Sequence, residues 1–103
     1  MAKYLVTYHG GEMPHDPESM AAARAAFMEW AGKTGEALVE PGAPVRSTWT
    51  VSQAGTQTGP AQGPISGWSI IESDDAESAA ALLDDHPFIG RGGVLQVSEP
   101  VEF

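Results

Sequence analysis

The chain has 103 residues, 42% hydrophobic and 18% charged, with no cysteine and 14 acidic against 5 basic side chains, a formal charge of −9. This gives one globular domain, residues 1–103, with a single modest core; the missing thiols exclude disulfides, thiolate zinc sites and cysteine nucleophiles and fit a reducing compartment. The acidic surplus repels phosphate backbones and anionic lipid, so neither nucleic acid nor a membrane is an expected partner. With no run of about 20 apolar residues and no leader pattern, a cytoplasmic location is expected.

Lys3–His9 alternates, with Tyr4, Val6 and Tyr8 on one face and Leu5, Thr7 and His9 on the other, which predicts a strand ended by Gly10-Gly11. Asp16 suits a helix N-cap and Pro17 the first helical position. The stripe Met20, Ala23, Phe27, Trp30 and Ala31 then carries a helix to about Thr34, with Gly35 as its stop and Glu29–Lys33 as an outward ion pair. Glu36–Glu40 is a short candidate strand closed by Pro41-Gly42-Ala43-Pro44. Val45–Ser52 alternates cleanly, Val45, Trp49 and Val51 against Arg46, Thr48 and Thr50, and predicts another strand. Gln53–Pro64 has no apolar periodicity and reads as a mobile loop.

The stretch Ile65–Phe88 organises the rest. Gly67–Ile71 predicts a strand, and Asp74 with Glu77 resembles a capping box. Ala76, Ala79, Ala80 and Leu83 form a helical stripe, and Pro87 stops that helix near Asp85. Gly90–Gly93 is a turn and Val94–Phe103 a last strand.

This order is an α+β, ferredoxin-like βαββαβ sheet with two helices on one face. The expected helix-covered residues are Tyr4, Val6, Tyr8, Trp49, Val51, Trp68, Ile70, Leu95 and Val97. The other face mixes Leu5, Ile71 and Val94 with Thr7, His9, Arg46, Thr48, Ser69, Gln96 and Ser98. That face is too apolar for solvent and too polar for a dry core. A second sheet, supplied by another copy, is expected to meet it and enclose a small, partly polar cavity.

At Gly67–Glu72, Asp84-Asp85-His86-Pro87-Phe88 and Gly92–Val97 the chain resembles the YCII-related, or DGPF-domain, family. Lys3–Val6 and the Phe27–Trp30 helix also stand where that family has its first strand and helix. The resemblance implies a homodimeric α/β barrel of two ferredoxin-like sheets packed face to face. It also implies, by analogy with a family dehalogenase acting on a chlorinated muconolactone, lactone lyase or isomerase chemistry. The family's Asp-Gly-Pro-Phe signature stands here as Thr58-Gly59-Pro60-Ala61, and His86 precedes Pro87 where some members are thought to use an Asp, so no His–Asp pair is carried over.

His86 follows two acids at the negative end of a helix. It reads either as a general base oriented by Asp84 or Asp85, with a pKa raised by those charges, or as a cap on a solvated helix end. His9, beside Gly10-Gly11, is a second candidate base or a plain strand-end histidine. Arg46 offers a bidentate fork to a carboxylate or is an edge-strand arginine, and Thr48, Ser69 and Gln96 share its face as candidate substrate contacts. Trp30, Trp49 and Trp68 are simplest as core. His9, Glu12, His15 and Asp16 match no standard ligand spacing, so neither a metal nor a cofactor is expected. Three functions stay open: a cofactor-independent enzyme acting on an anionic or lactone-like metabolite, a small-molecule binding or sensing module, and a structural dimer.

Overall fold

A computed structural model describes residues 1–102. The elements are β1 (Ala2–Gly10), α1 (Pro17–Thr34), β2 (Leu38–Pro44), β3 (Trp49–Ser52), β4 (Gly55–Thr58), β5 (Gly67–Ser73), α2 (Ala76–Leu82) and β6 (Gly93–Ser98). Four strands form one sheet in the order β2-β5-β1-β6, with β5 and β6 both antiparallel to β1, which is the ferredoxin-like arrangement. The predicted last strand, Val94–Phe103, is shorter than expected, since β6 ends at Ser98; Phe103 lies outside the described residues.

The helices begin where short acids can cap them. Asp16 accepts from the Ser19 amide at 2.7 Å, and Pro17 follows at the first helical position. In α2 the cap is Asp75, accepting from the Ser78 amide at 2.7 Å, one residue later than the expected Asp74. Starting later and ending at Leu82, α2 is shorter than the sequence suggests. The chain then coils back through Pro87 and a single 3-10 turn, Ile89–Arg91.

The core lies between helices and sheet: Tyr4, Val6, Trp30, Ile71, Ala79 and Leu83 are buried together, with Phe27, Leu95 and Val97 packed around them. The Trp30 indole N–H donates to the Leu82 carbonyl at 3.1 Å, tying α1 to the end of α2. No helix of the described residues is long and apolar enough to cross a membrane.

Two expectations are corrected. Val6 pairs with Ser69 and Tyr4 with Ile71, while Leu5 pairs with Ile70 and Thr7 with Trp68. Because side chains alternate strictly along a strand, this register puts Ser69 and Ile71 beneath the helices and turns Trp68 and Ile70 to the open face, the reverse of the expected assignment. Ser69 and Ile71 are fully buried. Bulk misleads here: Trp68 and Ile70 outweigh Ser69, yet Ile71 sets the parity.

The predicted strand Val45–Ser52 is also redistributed. β2 runs on through Pro41 and Pro44 as an edge strand, where missing amide donors are tolerated, with register breaks on either side of Glu40. The alternation of Trp49–Ser52 is used in a separate two-stranded hairpin with β4, part of the stretch expected to be a loop. Trp49 and Val51 are therefore exposed rather than core.

Candidate functional site

A cavity of about 460 Å³ opens between α1, the bulged end of β2 and the segment His86–Arg91. Its apolar walls include Met20, Phe27 and Phe88, and among the described residues the charged side chains in its lining are Arg24 and Arg91. Glycine makes two of the close approaches that shape it. Gly42, at φ +72°, lies so near the backbone of Trp68 that a Cβ would sit 1.8 Å from its carbonyl oxygen, and a Cβ on Gly93 would lie 2.1 Å from the Phe88 ring.

Tyr8 and His86 stand together in the lining. Tyr8 reaches this point because β1 alternates Tyr4, Val6 and Tyr8 onto the helix side. His86 reaches it because its own N–H donates to the Leu83 carbonyl at 3.0 Å, folding the chain inward after α2. His86 is only 4% exposed, so it is not a solvated helix end. Its ring lies 4.4 Å from Trp30 and 5.8 Å from Phe27, centroid to centroid, and meets Tyr8 edge-on.

The hydrogen bonds here have fixed directions. The Phe88 amide donates to His86 Nδ1 at 3.1 Å, so that nitrogen is unprotonated and a neutral ring carries its hydrogen on Nε2. From the other end, Ser69 donates its hydroxyl to the Pro41 carbonyl at 2.8 Å and must accept from the Tyr8 hydroxyl at 2.7 Å. The Tyr8 oxygen, its hydrogen spent, accepts from His86 Nε2 at 3.1 Å. Both ends assign the same tautomer.

Burial, with Arg91 adding to it and Asp85 opposing, pushes His86 down from 6.5 to about 4. The expected upward shift is thus reversed. An aromatic surround favours a cation, but charging the ring would put a hydrogen on Nδ1 facing the Phe88 N–H, and the geometry agrees with the neutral form. Burial likewise raises Tyr8, against the lowering effect of its bond to Ser69, so the phenol stays protonated at neutral pH.

Of the residues expected at a site, His86 and Ser69 come together. Asp85 does not orient His86: it is exposed and its carboxylate pairs with Lys33, which holds its pKa below the usual range. His9 lies on the opposite sheet face, accepting from Thr7 at Nε2 (2.8 Å) and donating from Nδ1 to the Pro64 carbonyl (3.1 Å). Gln96 pairs with Thr7 on that same open face, and Arg46 and Thr48 are exposed in the connection between β2 and β3. Sequence reasoning missed Tyr8, Arg24 and Arg91. A tyrosine at a core position needs a partner for its hydroxyl, and that was the available signal for Tyr8. Arg91 is more surprising: its Nε is buried with no partner among the described residues, and its guanidinium lies 5.4 Å from the Phe88 ring centre.

Fold and site together define an α+β protein of ferredoxin-like topology with a helix-side pocket of small-molecule size. Among solved structures it is similar to the 5-chloro-2-hydroxyhydroquinone dehydrochlorinase of Burkholderia phenoliruptrix in complex with 2,5-dihydroxybenzoquinone: TM-score 0.52 and 13% identity, covering 91% of this chain and 90% of that one. At that identity the likeness is one of fold. No protein-family model and no curated protein sequence matches the chain.

Proposed function

We propose that the protein is a cofactor-independent lyase or isomerase for a small anionic or lactone-like metabolite, held in the pocket formed by α1, β2 and His86–Arg91. The observation that carries this is one apolar cavity joining half-buried Tyr8, hydrogen-bonded to buried His86, to two of the chain's 5 basic side chains. In a protein of charge −9, placing Arg24 and Arg91 there favours an anion that long-range repulsion would otherwise turn away. The dehydrochlorinase of the same fold supports the reading, and the motif resemblance to the YCII-related family, which no family model matches, adds nothing to it. His86 and Ser69 belong to the working site; His9 and Gln96 face a second copy of the chain, packed sheet to sheet as a homodimer in the cytoplasm.

The test is a panel of lactones, enolisable carboxylates and 2,5-dihydroxybenzoquinone, the ligand of the similar structure, assayed for binding and for turnover. A ligand at about 100 times its Kd adds about 2.7 kcal/mol of stability. Turnover lost in Arg91→Ala supports the proposal; a panel without binding refutes it. A second reading, a binding or sensing module, is favoured by one observation: both ring nitrogens of His86 are already committed. Binding without turnover selects it.

A further inference from the structure

We infer that Tyr8 is the group in this pocket that exchanges a proton with the bound molecule, and that His86 is its positioning residue. His86 acts as a neutral imidazole fixed as donor to the phenol oxygen. The inference rests on the pocket being a site for an anion, and it further specifies the class: a conjugated, enolate-type anion.

A general base needs a free lone pair, and His86 has none, since Nδ1 accepts from the Phe88 amide and Nε2 carries the hydrogen given to Tyr8. The groups facing the imidazole are the Tyr8 phenol, the Arg91 cation, the uncharged rings of Phe27 and Trp30, and the adjacent Asp85, which is turned to Lys33. None of them offers a proton acceptor to Nδ1. Tyr8 lines the cavity, and its hydrogen, given to Ser69 at rest, is freed for a bound molecule when the Ser69 hydroxyl turns from the Pro41 carbonyl to donate to the phenol oxygen instead; a phenolate then has two donors, Ser69 and His86 Nε2–H.

The step balances without an outside reagent. The Tyr8 O–H bond breaks, its electron pair stays on the phenol oxygen, and the proton forms a C–H bond at one end of the conjugated anion, which becomes neutral. The phenolate, held by His86 and Ser69, then removes a proton from the other end, leaving an isomeric anion and a restored phenol. Arg91 stands beside the charge at the start and the end.

Three measurements test this. Long-range proton–nitrogen NMR of the wild-type protein at neutral pH is expected to show His86 with Nε2 protonated and Nδ1 bare; the opposite tautomer, or an imidazolium, overturns the inference. Spectrophotometric titration of the phenol, with Tyr8→Phe as the blank, is expected to show His86→Leu raising the Tyr8 midpoint and His86→Gln, which keeps a donor, restoring it. A lowered midpoint in His86→Leu means that the imidazole accepts, and overturns it. Finally, para-nitrophenolate serves as a coloured oxyanion probe: Tyr8→Phe should weaken its binding by about tenfold or more, and equal binding overturns the inference. If the wild type does not take up the probe, the enolate-type class is lost and the inference fails with it. The tautomer and titration results then still show whether His86 positions Tyr8, separately from the fate of the proposed function.

Discussion

The buried neutral His86 makes stability depend on pH in a window where a surface histidine would have little effect. Unfolded, the ring takes a proton as pH falls through about 6.5; folded, it resists until about 4. The unfolded chain therefore binds more protons across that interval, and stability falls as pH drops from about 6.5 towards 4, levelling below it. Between about pH 7.5 and about pH 5 the linkage relation gives a loss of about 2 kcal/mol at full burial, and nearer 1 where water in the pocket screens the ring. The assay is urea unfolding of wild type and His86→Gln at both pH values. The variant, which cannot titrate at this position, should lose about 1–2 kcal/mol less than wild type over the interval. Identical losses, or an NMR titration placing His86 at or above its ordinary value, would refute the reasoning from burial.

Other expectations follow from single observations. Asp75→Ala should cost about 1 kcal/mol of stability by removing the α2 cap, while Asp74→Ala stays within about 0.5, as read by thermal unfolding; the reverse order would restore the sequence-based cap. Gly42→Ala should be among the most damaging single changes, costing more than about 3 kcal/mol, because its methyl meets the Trp68 backbone and its φ is positive; a melting point near wild type would contradict the close approach. The open sheet face, with Leu5 41% and Val94 62% exposed and Trp68 and Ile70 half-buried, is expected to pair with a second copy. Sedimentation showing a stable 10.8 kDa monomer at micromolar concentration would remove the dimer. Amides of Thr56–Thr58 should exchange quickly, since a lone two-stranded hairpin is marginal in water; strong protection there would show that the hairpin is covered.

Local chemistry made the topology legible. Asp16-Pro17 announced α1, and the β1 alternation the side on which Tyr4 and Val6 would pack, whereas Pro87 misplaced the end of α2, which stops at Leu82 rather than near Asp85. What failed was choice between equal periodicities. In Gly67-Trp68-Ser69-Ile70-Ile71 both parities carry an isoleucine, and only pairing with β1 decides that Ile71 and small Ser69 go inside. Trp49–Ser52 alternates as a strand should, but nothing local says whether its partner is the central sheet or the polar run after it. The site failed for a related reason. Charge next to His86 in sequence suggested a raised pKa, whereas the fold turns Asp85 outward to Lys33 and leaves the ring among aromatics. His86 stood out because the two acids before it break the charge rule of a helix end; Arg91 was passed over because a glycine-rich turn gives no hint that the Nε of its arginine is buried.

The most direct test is ligand binding to the pocket, wild type against Arg91→Ala, measured by calorimetry with the panel of lactones and enolate-type anions. At least one anion should bind the wild type, and Arg91→Ala should weaken it by about tenfold or more, as for a lost charge-assisted hydrogen bond. Binding that is unchanged in the variant, or no anion bound at all, would contradict it.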